Sequence, residues 1–311
     1  MSGRAALDDL ARALEARLSG CVERDVPLAG LTTYRLGGPV AVLVRARDGA
    51  TLATVAAALH EHPAPLLLVG RGSNLLVADR GFEGLGVVLE GCFDTVELDA
   101  GPGVVRAGGA VALPVLARRA SAAGLTGLEF FVGIPGSVGG AVRMNAGGHG
   151  RETVDVLVRA WTVDLAAPAA GPVVRSVDDL GLGYRRSRLS DTEVVTGAEL
   201  AVVEGAPGAS EDLLAEVVRW RREHQPGGSN AGSVFRNPTG DSAGRIIDAA
   251  GLKGLRVGSA LVSPKHANFF QAEPGATADD VRRLVLEVRR RVAAETGIAL
   301  EPELRMIGFD T

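Results

Sequence analysis

The sequence predicts an α+β protein, and three observations carry that prediction. Helix-period and strand-length apolar segments are mixed along the 311 residues, successive strands often lack a helix between them, and glycine gathers in two clusters. A doubly wound sheet would need regular strand–helix alternation, which is missing. At about 150 residues per domain the length suits two domains or three small ones. With 46% hydrophobic and 23% charged residues, the chain can bury a sizeable core.

Leu7, Leu10, Leu14 and Leu18 share one face of a first helix, with its charges opposite. A strand follows at Val40–Val44, then a helix around Ala50–Leu59. A buried strand at Leu66–Val69 runs straight into Gly70-Arg71-Gly72-Ser73-Asn74. Val87–Leu89, Thr95–Leu98 and Val104–Ala107 read as short strands separated by turn residues. A helix near Ala112–Ala123 leads to the second cluster, Gly133 to Gly150. Strands around Val156–Val163 and Val194–Val203 flank a Pro/Ala/Gly connection, Ala166–Pro172, expected to be a surface loop. Gly205–Ser210 is the best linker candidate, and Ser210 with Glu211 and Asp212 makes a cap and acidic first turn for a helix reaching Arg222. Beyond a glycine/asparagine stretch at Gly227–Gly232 come a helix near Ala243–Ala250, an amphipathic helix from Asp279 to Ala294 and a closing strand at Glu303–Ile307.

Charge and motif content exclude several classes. Thirty-three basic against 37 acidic residues give a net charge of −4 with no basic tract, which argues against a nucleic-acid partner. No apolar run approaches the ~18–20 residues of a membrane span. The charged start MSGRAALDDLARALEARL does not read as a signal peptide. Cys21 and Cys92 cannot form a disulfide framework, so a reduced, cytoplasmic protein is expected. GxxxxGK[ST] and GxSxG are both missing. The five histidines show no ligand spacing, and no metal is expected.

Glycine is the informative residue: 42 of 311 is roughly twice the usual ~7%. In VGRGSNLL, the turn at Gly70, Gly72, Ser73 and Asn74 can aim successive N–H groups at a phosphate. It is not the dinucleotide fingerprint, because Leu75 and Leu76 stand where a third glycine belongs, and an ordinary tight turn remains the alternative. The second cluster, GLEFFVGIPGSVGGAVRMNAGGHG, holds seven glycines between Gly133 and Gly150, more than a structural loop needs. That density suggests main chain packed against a large flat ligand. Three further groups carry reactive side chains. Tyr184-Arg185-Arg186-Ser187 sets cations beside an aromatic, with a solvated turn as the alternative. Ser233 sits between glycine and an apolar strand, with Asn237 further along the same side. Glu303 and Arg305 share one side of the terminal strand. A structural serine and a simple ion pair are the ordinary readings of these last two.

From Leu31 to Gly308 the chain resembles the UDP-N-acetylenolpyruvoylglucosamine reductases, flavoenzymes of peptidoglycan precursor synthesis. The resemblance rests on TTYRLGGP (Thr32–Pro39), GRGSNLL (Gly70–Leu76), GIPGSVGGAVRMNAG (Gly133–Gly147), YRRS (Tyr184–Ser187), AGSVFRNP (Ala231–Pro238), GLKG (Gly251–Gly254), SPKHANF (Ser263–Phe269) and PELRMIG (Pro302–Gly308), in that order. The short stretch between Ser187 and Gln225 matches the branch without a tyrosine-bearing insertion. Tyr, Phe and Lys are common in the family where this chain has His149, Leu189 and Arg236.

The resemblance implies a flavin domain of the vanillyl-alcohol-oxidase type in two lobes, 1–88 and 89–205. It also implies a C-terminal substrate domain, 206–311, with a return of the terminal strand to the first lobe left open. FAD, held non-covalently, would be contacted by Gly70, Arg71, Gly72, Ser73, Asn74 and Leu75. Gly133, Ile134, Pro135, Gly136, Gly139, Gly140, Asn145, Ala146 and Gly147 would complete its site, with Arg305 offsetting charge on the flavin. Arg185, Ser233 and Glu303 match the residues used at the reacting centre, and Tyr184, Asn237 and Lys265 are candidates for the UDP-sugar. NADPH is the implied reductant; no obligate protein partner is expected. An alcohol oxidase or dehydrogenase of the same superfamily and a non-catalytic nucleotide-binding module are the competing readings.

Overall fold

The structure is a computed structural model describing residues 3–167, 171–206 and 208–310. The centre of the expected surface loop, residues 168–170, and Pro207 of the expected linker lie outside the described residues. The chain folds as two compact units, neither continuous in sequence. The first comprises Met1–Asp25, Ala41–Arg71 and Glu83–Arg219; the second comprises Val26–Val40, Gly72–Phe82 and Trp220–Thr311.

The first unit contains two hydrophobic cores. In one, Leu7, Leu10 and Leu14 of the Gly3–Arg17 helix pack with Leu52 and Val55 of the Gly49–Glu61 helix and with Val42, Val44, Leu85 and Val87 of a sheet. That sheet has the order Val22–Pro27, Pro39–Ala46, Phe82–Leu89, Leu66–Val69, and its last two strands run parallel. The second helix starts where it does because the Asp48 carboxylate accepts the Thr51 N–H at 2.8 Å.

The other core lies on an antiparallel five-stranded sheet, ordered Val173–Ser176, Leu157–Asp164, Glu193–Ala201, Val104–Gly108, Val96–Gly101. Leu113, Leu116, Ala117 and Ala120 of the Leu113–Ala122 helix cover it together with Phe130 and Phe131. The spacing of those four residues is the stripe a helix needs to bury one face.

In the second unit, Val281, Leu284, Val285, Val288 and Val292 of the Ala278–Thr296 helix pack against Tyr34, Leu76, Phe235 and Phe270. The helix is closed at its start by a reciprocal Thr277–Asp280 box and at its end by Gly297 in the left-handed conformation. Tyr34 is 1% exposed; its hydroxyl donates to the Phe270 carbonyl at 3.1 Å, and burial raises its pKa. Phe235 meets Phe270 edge to face, 5.8 Å between centroids, a geometry worth about 0.5–1.5 kcal/mol beyond burial. The terminal strand, Arg305–Ile307, pairs in parallel with Leu75–Val77.

The compact units divide the chain otherwise than at 88/89 and 205/206, with 26–40 and 72–82 grouping with the C-terminal residues from Trp220 on. The pairing of Leu75–Val77 with the terminal strand and the burial of Tyr34 and Leu76 in the second core are the reasons. The second glycine cluster is not all loop, since Val138–Met144 is a helix, capped by Ser137 and ended by Asn145 at φ 42°. Ser233 to Asn237 is no regular strand; Ser233 and Phe235 make isolated bridges to Phe269 and Pro302. Glu303 precedes the terminal strand, which starts at Arg305. Among the described residues no helix is long and apolar enough to cross a membrane, and Cys21 and Cys92 are free thiols.

Candidate functional site

The Leu66–Val69 strand delivers the chain to the first glycine turn. Gly72 has φ +60°, and a Cβ there would lie 1.9 Å from the Leu31 carbonyl oxygen, so only glycine fits. Thr33 N–H donates to the Gly72 carbonyl at 3.3 Å. The N–H groups of Arg71, Gly72, Ser73 and Asn74 meet no acceptor among the described residues. They form a short run of donors of the kind that can face a bound anion.

At Gly70 the missing side chain lets the turn approach the second cluster: a Cβ would stand 2.8 Å from Ser137 Oγ. The two clusters, some 65 residues apart in sequence, therefore touch. The helix beyond Ser137 has its first donors in use. Val138 N–H donates to Val111, Gly139 N–H to Gly109, and Gly140 N–H to Ser137 Oγ. The N–H groups of Gly139 and Gly140 thus have partners within the protein.

Arg185 has φ 54°, a left-handed conformation that costs a non-glycine residue about 1–2 kcal/mol. Its guanidinium reaches the Gly147 carbonyl at 3.2 Å, and the Asn145 carbonyl and Glu152 carboxylate at 3.4 Å each. The Tyr184 ring lies 5.0 Å from it, and the arginine side chain keeps 19% of its surface. The structure thus gathers Arg185, Asn145 and Gly147, as well as Glu152, which the sequence reading passed over. Glu152 also accepts from the Asn145 amide at 2.8 Å. These contacts hold the guanidinium against the main chain of Asn145 and Gly147.

In the second unit, Asn74, Ser233, Glu303 and Arg305 come together through the main chain. Glu303 N–H donates to the Val234 carbonyl at 2.8 Å, the Asn74 amide donates to the Glu303 carbonyl at 3.1 Å, and Arg305 N–H donates to the Asn74 carbonyl at 3.0 Å. Asn237 accepts the Ala243 N–H at 3.0 Å, at the start of the Ala243–Ala249 helix. Lys265 donates to the Arg222 carbonyl. Leu189 is buried, and its carbonyl accepts from Arg143; His149, at φ 54°, packs where a Gly133 side chain would stand.

Residues 40–167 match the family described as "FAD binding domain", and residues 224–307 match "UDP-N-acetylenolpyruvoylglucosamine reductase, C-terminal domain". A UDP-N-acetylenolpyruvoylglucosamine reductase of Methylorubrum extorquens (strain PA1) is 43% identical over 310 residues, covering 98% of this chain and 97% of its own. This chain belongs to the UDP-N-acetylenolpyruvoylglucosamine reductase family. The reductase of Paramagnetospirillum magneticum is 42% identical over 299 residues, covering 94% of both chains. The crystal structure of UDP-N-acetylenolpyruvylglucosamine reductase from Thermus caldophilus is 39% identical, with a TM-score of 0.79 over 92% of this chain and 98% of that one. Membership of the reductase family makes the protein a flavin-dependent oxidoreductase of α+β fold.

The residues present fit FAD. Successive N–H groups that meet no acceptor among the described residues suit a pyrophosphate, and Gly70 itself comes close to Ser137 of the second cluster.

A further feature of the reductase lies at the start of the second cluster. Glu129, 8% exposed, accepts from Thr126 Oγ1, from Ser210 Oγ at 2.7 Å and from Gly127 N–H at 2.9 Å. Burial alone would raise its pKa; the hydrogen bonds from Thr126, Ser210 and the backbone outweigh it, and the carboxyl sits below its ordinary value. Glu129→Ala orphans these donors and should lower the unfolding free energy by about 3 kcal/mol at neutral pH. A depressed folded pKa gives stability that is present above the unfolded pKa and lost as pH falls through the folded one. The gap between wild type and variant should therefore shrink below about pH 4. Urea unfolding at neutral and acid pH checks this; a gap that widens in acid contradicts it.

Proposed function

We propose that the protein reduces the enolpyruvyl double bond of UDP-N-acetylglucosamine enolpyruvate, giving UDP-N-acetylmuramate for peptidoglycan synthesis, with NADPH as reductant. The observation that carries this reading is 43% identity, over 98% of the chain, to a reductase of that name. The chemistry that FAD supplies when bound is hydride relay from NADPH to the terminal enolpyruvyl carbon. The turn Gly70–Leu75 and the stretch Gly133–Gly136 are proposed to hold it, with Asn145, Ala146 and Gly147 beside them and Arg305 near the flavin. The two cores of the first unit are proposed as its two lobes. A cytoplasmic location fits the free thiols Cys21 and Cys92.

A carbon–carbon double bond accepts hydride only if the negative charge that appears is held. Here the charge spreads into the substrate carboxylate as an enolate. Arg185 is assigned to that carboxylate, because a guanidinium meets two carboxylate oxygens at once. Ser233 is assigned the proton that passes from its hydroxyl to the α-carbon and sets the configuration of the lactyl ether. Glu303 is assigned to orient water beside the enolate; its main-chain bond to Val234 keeps it next to Ser233 in space. Tyr184, Asn237 and Lys265 are assigned to the UDP-sugar.

Pure protein should be yellow, lose its colour under anaerobic NADPH and regain it when the enolpyruvyl substrate is added. Colour that returns with oxygen and not with substrate points to an oxidase instead. Acid precipitation should leave the yellow in the supernatant, since the cofactor is proposed to be non-covalent. Yellow retained in the pellet contradicts that.

A further inference from the structure

Asn268 sits in the Ser263–Phe269 motif, and no role falls to it in the reaction as derived above. It is 2% exposed. Its side-chain oxygen accepts the Phe235 N–H at 2.9 Å, and its amide nitrogen donates to the Phe235 carbonyl at 2.8 Å. Its main-chain carbonyl accepts the Val234 N–H at 2.9 Å, while Ser233 bridges Phe269. From the other direction Glu303 N–H donates to the Val234 carbonyl. Asn268 is itself anchored: its N–H donates to His266 Nδ1 at 3.2 Å, and burial holds the His266 pKa below its ordinary value, so the ring can accept.

Ser233 lies in no regular strand, so a ladder does not fix its direction. We propose that Asn268 is a positioning residue for Ser233, its amide taking the place of a neighbouring strand along Val234–Phe235 and so aiming the Ser233 hydroxyl. The inference rests on the reading of Ser233 as proton donor. An amide bonded at both ends to one residue's N–H and carbonyl is a shape that few side chains reproduce. An apolar residue in its place would leave both Phe235 groups buried without partners. The Ser233 side chain points correctly only while Val234 and Phe235 are pinned on both edges.

The test is Asn268→Asp in the FAD-loaded enzyme. An ionised carboxylate still accepts from the Phe235 N–H but sets an oxygen against the Phe235 carbonyl; once protonated, it donates there and restores both bonds. At mildly alkaline pH the return of colour on adding substrate should slow about 10²-fold, the size of effect that small misplacement of a reacting group produces. Bleaching by NADPH should keep its wild-type rate. Acidification should recover activity relative to wild type, which a merely structural asparagine would not produce. The lactyl carbon, read by NMR, should lose its single configuration at alkaline pH, because water then supplies the proton. In a Ser233→Ala background Asn268→Asp should add no further slowing.

A wild-type pH profile with a single product configuration overturns the proposal, as does an equal slowing in both backgrounds. If Ser233→Ala alone keeps wild-type turnover, the reading of Ser233 fails, and that result does not involve Asn268. Should the aspartate variant not fold, Asn268→Ser, which keeps one of the two bonds, is put through the same comparison of backgrounds and product configuration.

Discussion

Ser233→Ala should fold, bind FAD and be bleached by NADPH at the wild-type rate, yet regain its colour with substrate about 10²–10⁴-fold more slowly. That loss corresponds to roughly 3–5 kcal/mol of barrier. A purely structural serine would behave otherwise: removing one hydroxyl costs about 1 kcal/mol of stability and leaves turnover alone. Ser233→Cys should retain more activity than Ser233→Ala, because a thiol still donates a proton. Anaerobic stopped-flow of NADPH-treated enzyme mixed with substrate separates the two. A Ser233→Ala enzyme that recovers its colour at the wild-type rate leaves the proton donor to be sought elsewhere.

Arg185→Ala should likewise spare the NADPH step and slow the substrate step by about 10²-fold, the usual consequence of losing one oriented charge stabiliser. The structure adds a complication that the half-reactions resolve. Arg185 also touches the Asn145 and Gly147 carbonyls and the Glu152 carboxylate, so its loss disturbs part of the second glycine cluster. If that disturbance dominates, both half-reactions slow together and flavin affinity falls. If the carboxylate role dominates, only the substrate step suffers. Arg185→Lys should then stay impaired, since an ammonium keeps the charge but not the two-pronged contact.

Much of the architecture is legible in local sequence. Leu66–Val69 is bounded in the structure where its apolar run ends at Gly70, because four consecutive apolar residues followed by glycine leave few options. The Ala278–Thr296 helix carries its cap, its stripe and its closing glycine within twenty-one residues. The Val138–Met144 helix hid behind Gly139 and Gly140, whose low helix propensity outweighs the signals that were there, Ser137 at the start and Asn145 at the end. Ser233 and Glu303 read as strand residues because their neighbours alternate. The structure replaces the missing ladder with the Asn268 amide and the Val234 carbonyl. Glu152 had no local signal at all, since what gives it meaning is an arginine thirty-three residues further on. The same is true of the segments 26–40 and 72–82, whose grouping with the C-terminal residues is decided by pairings more than two hundred residues apart.

That last arrangement bears on how the chain is made. Leu75, Leu76 and Val77 are all buried, and their strand partner is Arg305–Ile307. On the ribosome they emerge about 230 residues before that partner exists, and at ~5–20 residues per second the wait lasts on the order of 10 seconds or more. During that interval a short apolar strand has an open edge able to pair with another chain. Tyr34 waits in the same way for Phe270. The second unit can therefore close only once Arg305–Ile307 has been made, so a truncation before that strand endangers a segment made some 230 residues earlier.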